Sequence, residues 1–320
     1  MKLRMLLVVA LFVTIFAASA QAAPLTVGLV LSTGGLHDES FNDAAYEGAM
    51  ILRKEGCIVE VVDPGSISGI EPALRFFCRR KLDMVCAVGV FANEAVRHIS
   101  NEFPDTKIVL IDSVVSAQNV LSVLFDEEQG SFFAGAFAAL VSKTGCVGFM
   151  GGMDSPVIAG FERGFKNGAA FVNSDVKFVS KYLGNTPEAF DAVEKAEEVG
   201  AELNQAGADI IYHAAGKSGI GLINAARRGN FCVIGVDSDQ SKTAPGKVAA
   251  SLVKRIDIAL VKAAEVVKKG SFNGGVWTLG LQDHGIELAY SRFNRDLITH
   301  EVSLKLDEIE DFLINKENDK

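Results

Sequence analysis

Basic side chains are in deficit in this chain: 31 Lys and Arg stand against 40 Asp and Glu, a formal net charge of −9. Two of the 31, Lys2 and Arg4, lie in residues 1–22, which hold no acidic side chain, so the remainder carries 29 basic groups against 40 acidic ones. Phosphate binding draws on clustered Lys and Arg that release counterions, so no nucleic-acid partner is expected. Cysteine is sparse and odd in number: Cys57, Cys78, Cys86, Cys146 and Cys232, with no C-x-x-C pair. Four of them sit in apolar strand-like or helix-like stretches, where a small buried thiol is the ordinary reading. A disulfide framework is therefore not the basis of the fold, although one bridge stays open in an oxidising compartment.

Long apolar runs are absent with one exception. Met5 to Phe16 is uncharged, follows Lys2 and Arg4, and precedes Ala20-Gln21-Ala22. This is the pattern of a signal peptide over residues 1–22 with a cut before Ala23. The run is too short for a comfortable membrane span, so the mature chain is expected to be exported and soluble. No cysteine lies near the cut to accept a lipid.

Recognisable catalytic patterns are missing as well. His37, His98, His213, His284 and His300 show no H-x-x-x-H or Cys/His spacing, so no metal is expected. Gly-Lys-Ser at 216–218 suggests a phosphate loop, but the pattern's first glycine, six residues before the lysine, is missing. Its glycine-rich turn could still offer backbone N–H groups to a ligand hydroxyl, or be a plain tight turn. No G-x-S-x-G pentad supplies a hydrolase nucleophile. Gly34-Gly35 lacks the rest of a dinucleotide fingerprint, so no cofactor is expected.

What the chain does contain is a repeated alternation. Short β-branched runs at 25–31, 57–63, 84–90 and 107–112, then at 146–152, 177–184, 209–216 and 231–237, alternate with helix-like segments. Continuous apolar strands with helices between them are what a parallel sheet covered on both faces requires, so the class is α/β. The pattern runs twice, with a strand at 119–125 and a helix at 128–142 between the halves. Each half has too few strands for a closed barrel, which predicts two doubly wound lobes. The expected lobes are 23–122 with 252–280, and 123–251 with 285–320. A long amphipathic segment from Val248 to Lys269 and strand-like stretches at 276–281 and 286–290 return the chain between them, giving a three-crossing hinge.

Ligands of open α/β sheets gather at the carboxyl ends of strands. Asp112, Gly216 and Asp237 stand at such ends, and Gly34-Gly35 follows the first strand. In the block GGLHDESFNDAAYEGA (34–49), Ser40 or Asp38 can cap a helix beginning near Phe41, with Asn42 and Asp43 in its first turn.

That block, together with NVLSVLFDEEQGSFFAGAFAAL (119–140), GFMGGMDSPVI (148–158), GFERGFKNGA (160–169), DIIYHAAGKSGIG (209–221) and VIGVDSDQ (233–240), resembles the basic membrane protein (Bmp) family of ABC-transporter receptors, which include purine-nucleoside-binding proteins. The likeness spans essentially the whole mature chain. It implies a type I periplasmic binding-protein fold that closes on a nucleoside, with an ABC permease as partner, no enzymatic step and a monomeric state. The base would be sandwiched between Phe41 and, as the facing ring, Tyr212. Asn42 and Asp112 would hydrogen-bond the base and Asp237 the ribose hydroxyls, since a carboxylate offers two acceptors to two donors. Tyr182, Gly216 and Lys254 complete the expected site. Many relatives are lipoproteins, whereas this chain is expected to diffuse freely in a periplasm. The alternatives are an exported nucleoside hydrolase, which would need an aspartate cluster near the first strand that 25–35 does not offer, and a module presenting its ligand to a signalling receptor.

Overall fold

The computed structural model describes residues 23–318; the expected signal peptide at 1–22 lies outside them. The N-terminal lobe begins with β1 (Thr26–Val30), α1 (Phe41–Lys54), β2 (Ile58–Val62), α2 (Ile67–Arg79), β3 (Met84–Val88), α3 (Asn93–Glu102), β4 (Ile108–Ile111) and β5 (Val120–Phe125). The C-terminal lobe follows with α4 (Glu127–Val141), β6 (Cys146–Met153), α5 (Pro156–Val172), β7 (Lys177–Gly184), α6 (Val193–Gln205), β8 (Ile210–Ala214), α7 (Gly219–Arg228), β9 (Cys232–Asp237) and β10 (Val248–Lys254). The chain ends with α8 (Ile256–Lys268), β11 (Gly275–Leu279), β12 (Ile286–Tyr290) and α9 (His300–Asn318).

Two six-stranded sheets form, in the orders β11-β5-β4-β3-β1-β2 and β12-β10-β9-β8-β6-β7. All neighbours are parallel except β12, which runs antiparallel to β10. Central strands such as β3 and β4 are buried at every position, whereas the edge strand β7 is half-exposed along most of its length. Burial on both faces is why the central strands read as unbroken apolar runs. The two α/β lobes and their parallel sheets are as the sequence implies.

Two details differ from the sequence expectation. The segment from Val248 to Lys269 is a strand followed by a helix. β10 is held in the second sheet between β9 and β12, with Leu252 opposite Val236 and Leu288, and only past Arg255 does the chain turn into α8, which packs on α1 of the other lobe. β5 likewise stays registered on β4 through Ile111–Val123 and on β11 through Phe125–Leu279. Sheet membership therefore puts the crossings at 125–127, 254–256 and 279–286, a few residues past the first two expected boundaries. All five cysteines are free thiols, four of them buried. Among the described residues no helix is long and apolar enough to cross a membrane.

Candidate functional site

The strands of both sheets point their carboxyl ends at a cavity of about 130 Å³ between the lobes. At roughly 10–15 Å³ per water on this measure, the space would hold about ten waters, which suits a small organic molecule. Ser32 to Gly34 after β1, the start of α1, Gly89 to Phe91 after β3 and Asp112 after β4 form one wall. Residues of α5, Phe190, Ala214 to Lys217 from the end of β8 onward, Asp237 at the end of β9 and Lys254 at the end of β10 form the other.

The start of α1 is built around Asp38. Ser40 occupies the N-cap position but makes no side-chain cap. Asp38 does this instead, its carboxylate accepting from the backbone N–H of Ser40 (2.9 Å), Asn42 (2.9 Å) and Asp43 (3.2 Å) and from Asn42 Nδ2 (2.9 Å). These donors only partly offset the burial, which leaves the Asp38 carboxyl pushed up to about 6. Asn42 Oδ1 accepts the Ser32 N–H at 2.8 Å. With one amide hydrogen committed to Asp38, Asn42 retains one for a ligand.

Asp112 and Asp237 both have positive φ, 60° and 66°, and both lie at strand ends. Non-glycine residues adopt that region rarely, and such strain collects at ligand sites. Asp112 Oδ2 accepts from Lys254 Nζ at 2.6 Å, while its Oδ1 is buried without a hydrogen-bond partner. An orphaned carboxylate oxygen in a cavity wall is a standing acceptor for a ligand donor. Lys254, 5 % exposed, also donates to Glu127 at 2.9 Å, and its ammonium lies 5.3–5.4 Å from the rings of Phe41, Phe125 and Phe161. Burial pushes Asp112 and Asp237 above the usual carboxylate range, and the surrounding carboxylates raise Lys254. The Lys254 shift follows from three carboxylates around one ammonium, whereas burial outweighs that ammonium at the two carboxyls. Asp237 Oδ2 accepts from Ser40 Oγ of the opposite lobe at 2.5 Å.

Six of the eight residues singled out from sequence thus line one cavity: Phe41, Asn42, Asp112, Gly216, Asp237 and Lys254. Tyr212 and Tyr182 do not. Tyr212 sits inside β8, registered between Phe149 of β6 and Ile234 of β9, two residues short of the strand's carboxyl end. Its ring is fully buried against Phe149, Phe161 and Phe165, with centroids 5.2–6.4 Å away, and its hydroxyl lies 3.3 Å from Ser131 Oγ. Tyr182 is on the edge strand β7 and donates its hydroxyl to Glu162 at 2.7 Å.

The C-terminal lobe offers the cavity Phe190 and Phe161 instead, and the N-terminal lobe adds Phe91. Phe190 ends a 3-10 turn, Pro187–Phe190, beyond the carboxyl end of β7, and meets Phe91 edge to face across the cleft at 6.5 Å. The strand-end rule applied to β7 would have found it. The Gly-Lys-Ser turn has a structural use here. Ser218 Oγ donates to Ala189 O (2.8 Å) and accepts from the Ala192 N–H (2.7 Å), and Lys217 pairs with Asp191 (2.7 Å), which anchors the segment carrying Phe190.

Residues 25–319 match the family described as Bmp, ABC transporter substrate-binding protein PnrA-like. The chain belongs to the Bmp family. Basic membrane protein A of Borreliella afzelii is 32% identical over 301 residues, covering 91% of this chain and 90% of the relative. A Pyrococcus abyssi relative named as a lipoprotein is 29% identical over 279 residues, 83% of this chain and 69% of its own length. That name sets it apart from the lipid-free state expected for this member of the family. Among solved structures, an ABC transporter solute-binding protein of Aeropyrum pernix K1 superposes with a TM-score of 0.82 at 26% identity, covering 92% of each chain. A glucose-galactose binding protein of Geobacillus stearothermophilus, at 15% identity and a TM-score of 0.60, shares the fold. As a Bmp protein the chain is a substrate-binding component of the ABC-transporter type, and its relatives are substrate-binding proteins rather than enzymes.

Proposed function

We propose that this protein is an exported receptor that captures a nucleoside, most fittingly a purine nucleoside, between its lobes and delivers it unaltered to an ABC permease. The observation that carries the reading is a cavity lined by an aromatic ring from each lobe, Phe41 and Phe190, together with a polar lining dominated by acceptors. Asp112 Oδ1 stands unpartnered and Asp237 faces the same space, so the cavity calls for a flat ligand rich in hydrogen-bond donors. A base with N–H groups and a sugar with vicinal hydroxyls is such a ligand. Phosphate esters and carboxylates are disfavoured, because the cationic groups lining the cavity, Lys254 and Lys217, are already paired with carboxylates. Base–aromatic stacking on Phe41 and Phe190 supplies affinity that is indifferent to the base, at roughly 1–3 kcal/mol per ring. Asn42, Asp112 and Asp237 then choose the ligand.

Mass spectrometry of small molecules extracted from the purified protein, followed by calorimetric titration with nucleosides and free bases, tests this. We expect a nucleoside in the extract, tight binding of that nucleoside, and intact nucleoside after long incubation. Recovery of an unrelated solute that binds more tightly would overturn the ligand class, and steady release of free base would turn the reading into a hydrolase.

A further inference from the structure

Ser40 is completely buried where the lobes meet, and each of its polar groups is committed. Its hydroxyl donates to Asp237 Oδ2 across the cleft at 2.5 Å, and its carbonyl accepts from Ser238 Oγ at 3.0 Å. The neighbouring Glu39 carbonyl accepts from Gln240 Nε2 at 2.8 Å. Three hydrogen bonds thus join residues 39–40 of one lobe to 237–240 of the other.

Both sides are held by partners within their own lobes. Asp38 takes the Ser40 N–H, and Asp43 takes the Glu39 N–H at 3.0 Å. On the far side Gln240 Oε1 lies 3.0 Å from His213 Nε2 and accepts the Val236 N–H at 3.3 Å, while the Gln240 N–H donates to Ser251 Oγ at 3.1 Å. Since Gln240 presents an oxygen, His213 carries its proton on Nε2. The His213 ring lies over Gly219, where a Cβ would come within 2.1 Å of it, so only glycine leaves the ring in that position. Fixed partners on both sides reduce the entropy lost on closing.

Asp237 also walls the cavity, and a carboxylate has two oxygens, one of which Ser40 already holds. A ligand with two vicinal hydroxyls binds a carboxylate best through both oxygens, so its second hydroxyl meets Ser40 at Oδ2. We propose that Ser40 competes with the hydroxyls of the bound ligand for Asp237, and so sets how strongly the site prefers a diol-bearing ligand over its deoxy analogue. This rests on the nucleoside reading and adds its selectivity. A diol displaces or weakens the Ser40 hydrogen bond across the cleft, whereas a dideoxy ligand leaves it in place. Discrimination in the native protein is therefore smaller than the carboxylate alone would give.

The test is calorimetric titration of inosine and 2′,3′-dideoxyinosine into the full mature chain and into Ser40→Ala, Ser40→Gly and Ser238→Ala. Glycine is well tolerated at a helix N-cap, so Ser40→Gly guards against a poorly folded alanine variant, and thermal melts check both. Hydrogen bonds to charged groups set the scale, and we expect the inosine-to-dideoxyinosine affinity ratio to rise about tenfold in both Ser40 variants, with dideoxyinosine itself bound more weakly. Ser238→Ala breaks a bond between the lobes without touching Asp237, so it should weaken both ligands alike and leave the ratio unchanged. An unchanged or smaller ratio in the Ser40 variants, with inosine still bound by the native chain, overturns the competition alone. Failure of the native chain to bind either probe overturns the nucleoside reading and the competition with it.

Discussion

Tyr212 and Phe190 show how two residues apart in the fold divide the roles that sequence assigns to one. Tyr212 is wedged among three phenylalanines with its hydroxyl beside Ser131, so truncating it opens a hole in the C-terminal lobe. Tyr212→Ala should cost about 3–5 kcal/mol of stability, as large aromatic truncations in cores do. Nucleoside affinity of the molecules that remain folded should change little. Phe190 is only partly buried, faces the cavity and meets one other ring, so Phe190→Ala should leave the melting temperature nearly unchanged. It should weaken nucleoside binding by roughly 1–3 kcal/mol, five- to more than a hundredfold. Melting curves and calorimetric titrations of both variants check the exchange. Loss of affinity in folded Tyr212→Ala with none in Phe190→Ala would restore Tyr212 as the stacking ring.

At the scale of elements, α5 carries three glycines spaced four apart, Gly160, Gly164 and Gly168, and the packing of α4 on α5 rests on the last two. A Cβ on Gly164 would lie 2.2 Å from the Glu128 carbonyl oxygen, and one on Gly168 would lie 1.8 Å from that of Phe132. At Gly160 the nearest atom is the tip of Arg163, 3.8 Å away. Glycine inside a helix costs about 0.5–1 kcal/mol relative to alanine, so on propensity alone each alanine would stabilise. Backbone oxygens cannot yield as a flexible side chain can, and overpacking of this kind costs about 1–3 kcal/mol. Gly160→Ala should therefore stabilise by about 0.5–1 kcal/mol and Gly168→Ala should destabilise by about 1–3 kcal/mol. Chemical denaturation that gave both the same sign would mean that the helices slide apart at little cost.

Over the whole molecule, closing the cleft brings Asp112 from one lobe against Lys254, Glu127 and Asp237 on the other. One ammonium serves three carboxylates away from water, and burial drives Asp112 up from its ordinary value toward neutrality. A folded-state pKa above the unfolded one means that the folded protein holds a proton the unfolded chain has lost. The Asp112 contribution is then fully present below the ordinary carboxylate range and is lost as pH rises through its raised folded value. Asp112→Asn does not titrate, so relative to the native chain the variant should gain stability as pH is raised from about 5 to about 8. Melting temperatures of the two proteins across that range measure it. A gap that moves the other way would show that Lys254 outweighs the burial and holds Asp112 ionised throughout.

Local patterns in the chain were enough for the α/β class, the two parallel sheets and their three connections, because a strand buried on both faces can only be written as an unbroken apolar run. The strand-end rule was enough to pick out Asp112, Gly216 and Asp237, since topology alone decides where those positions lie. The partners of those residues were not legible. Ser40 meets Asp237 across 197 positions, and Lys254 meets Asp112 across 142. Nothing local to either end records such a meeting. The turn at Arg255 that splits 248–269 into a strand and a helix is set by where β12 returns to pair with β10, which is again a long-range contact. Tyr212 illustrates the same limit, because two residues along a strand, about 7 Å, separate the core of a sheet from the cleft at its end. Sequence periodicity tells which face of a strand a side chain takes. How far that position stands from the opposite lobe is decided only when both sheets are built and the hinge has brought their ends together.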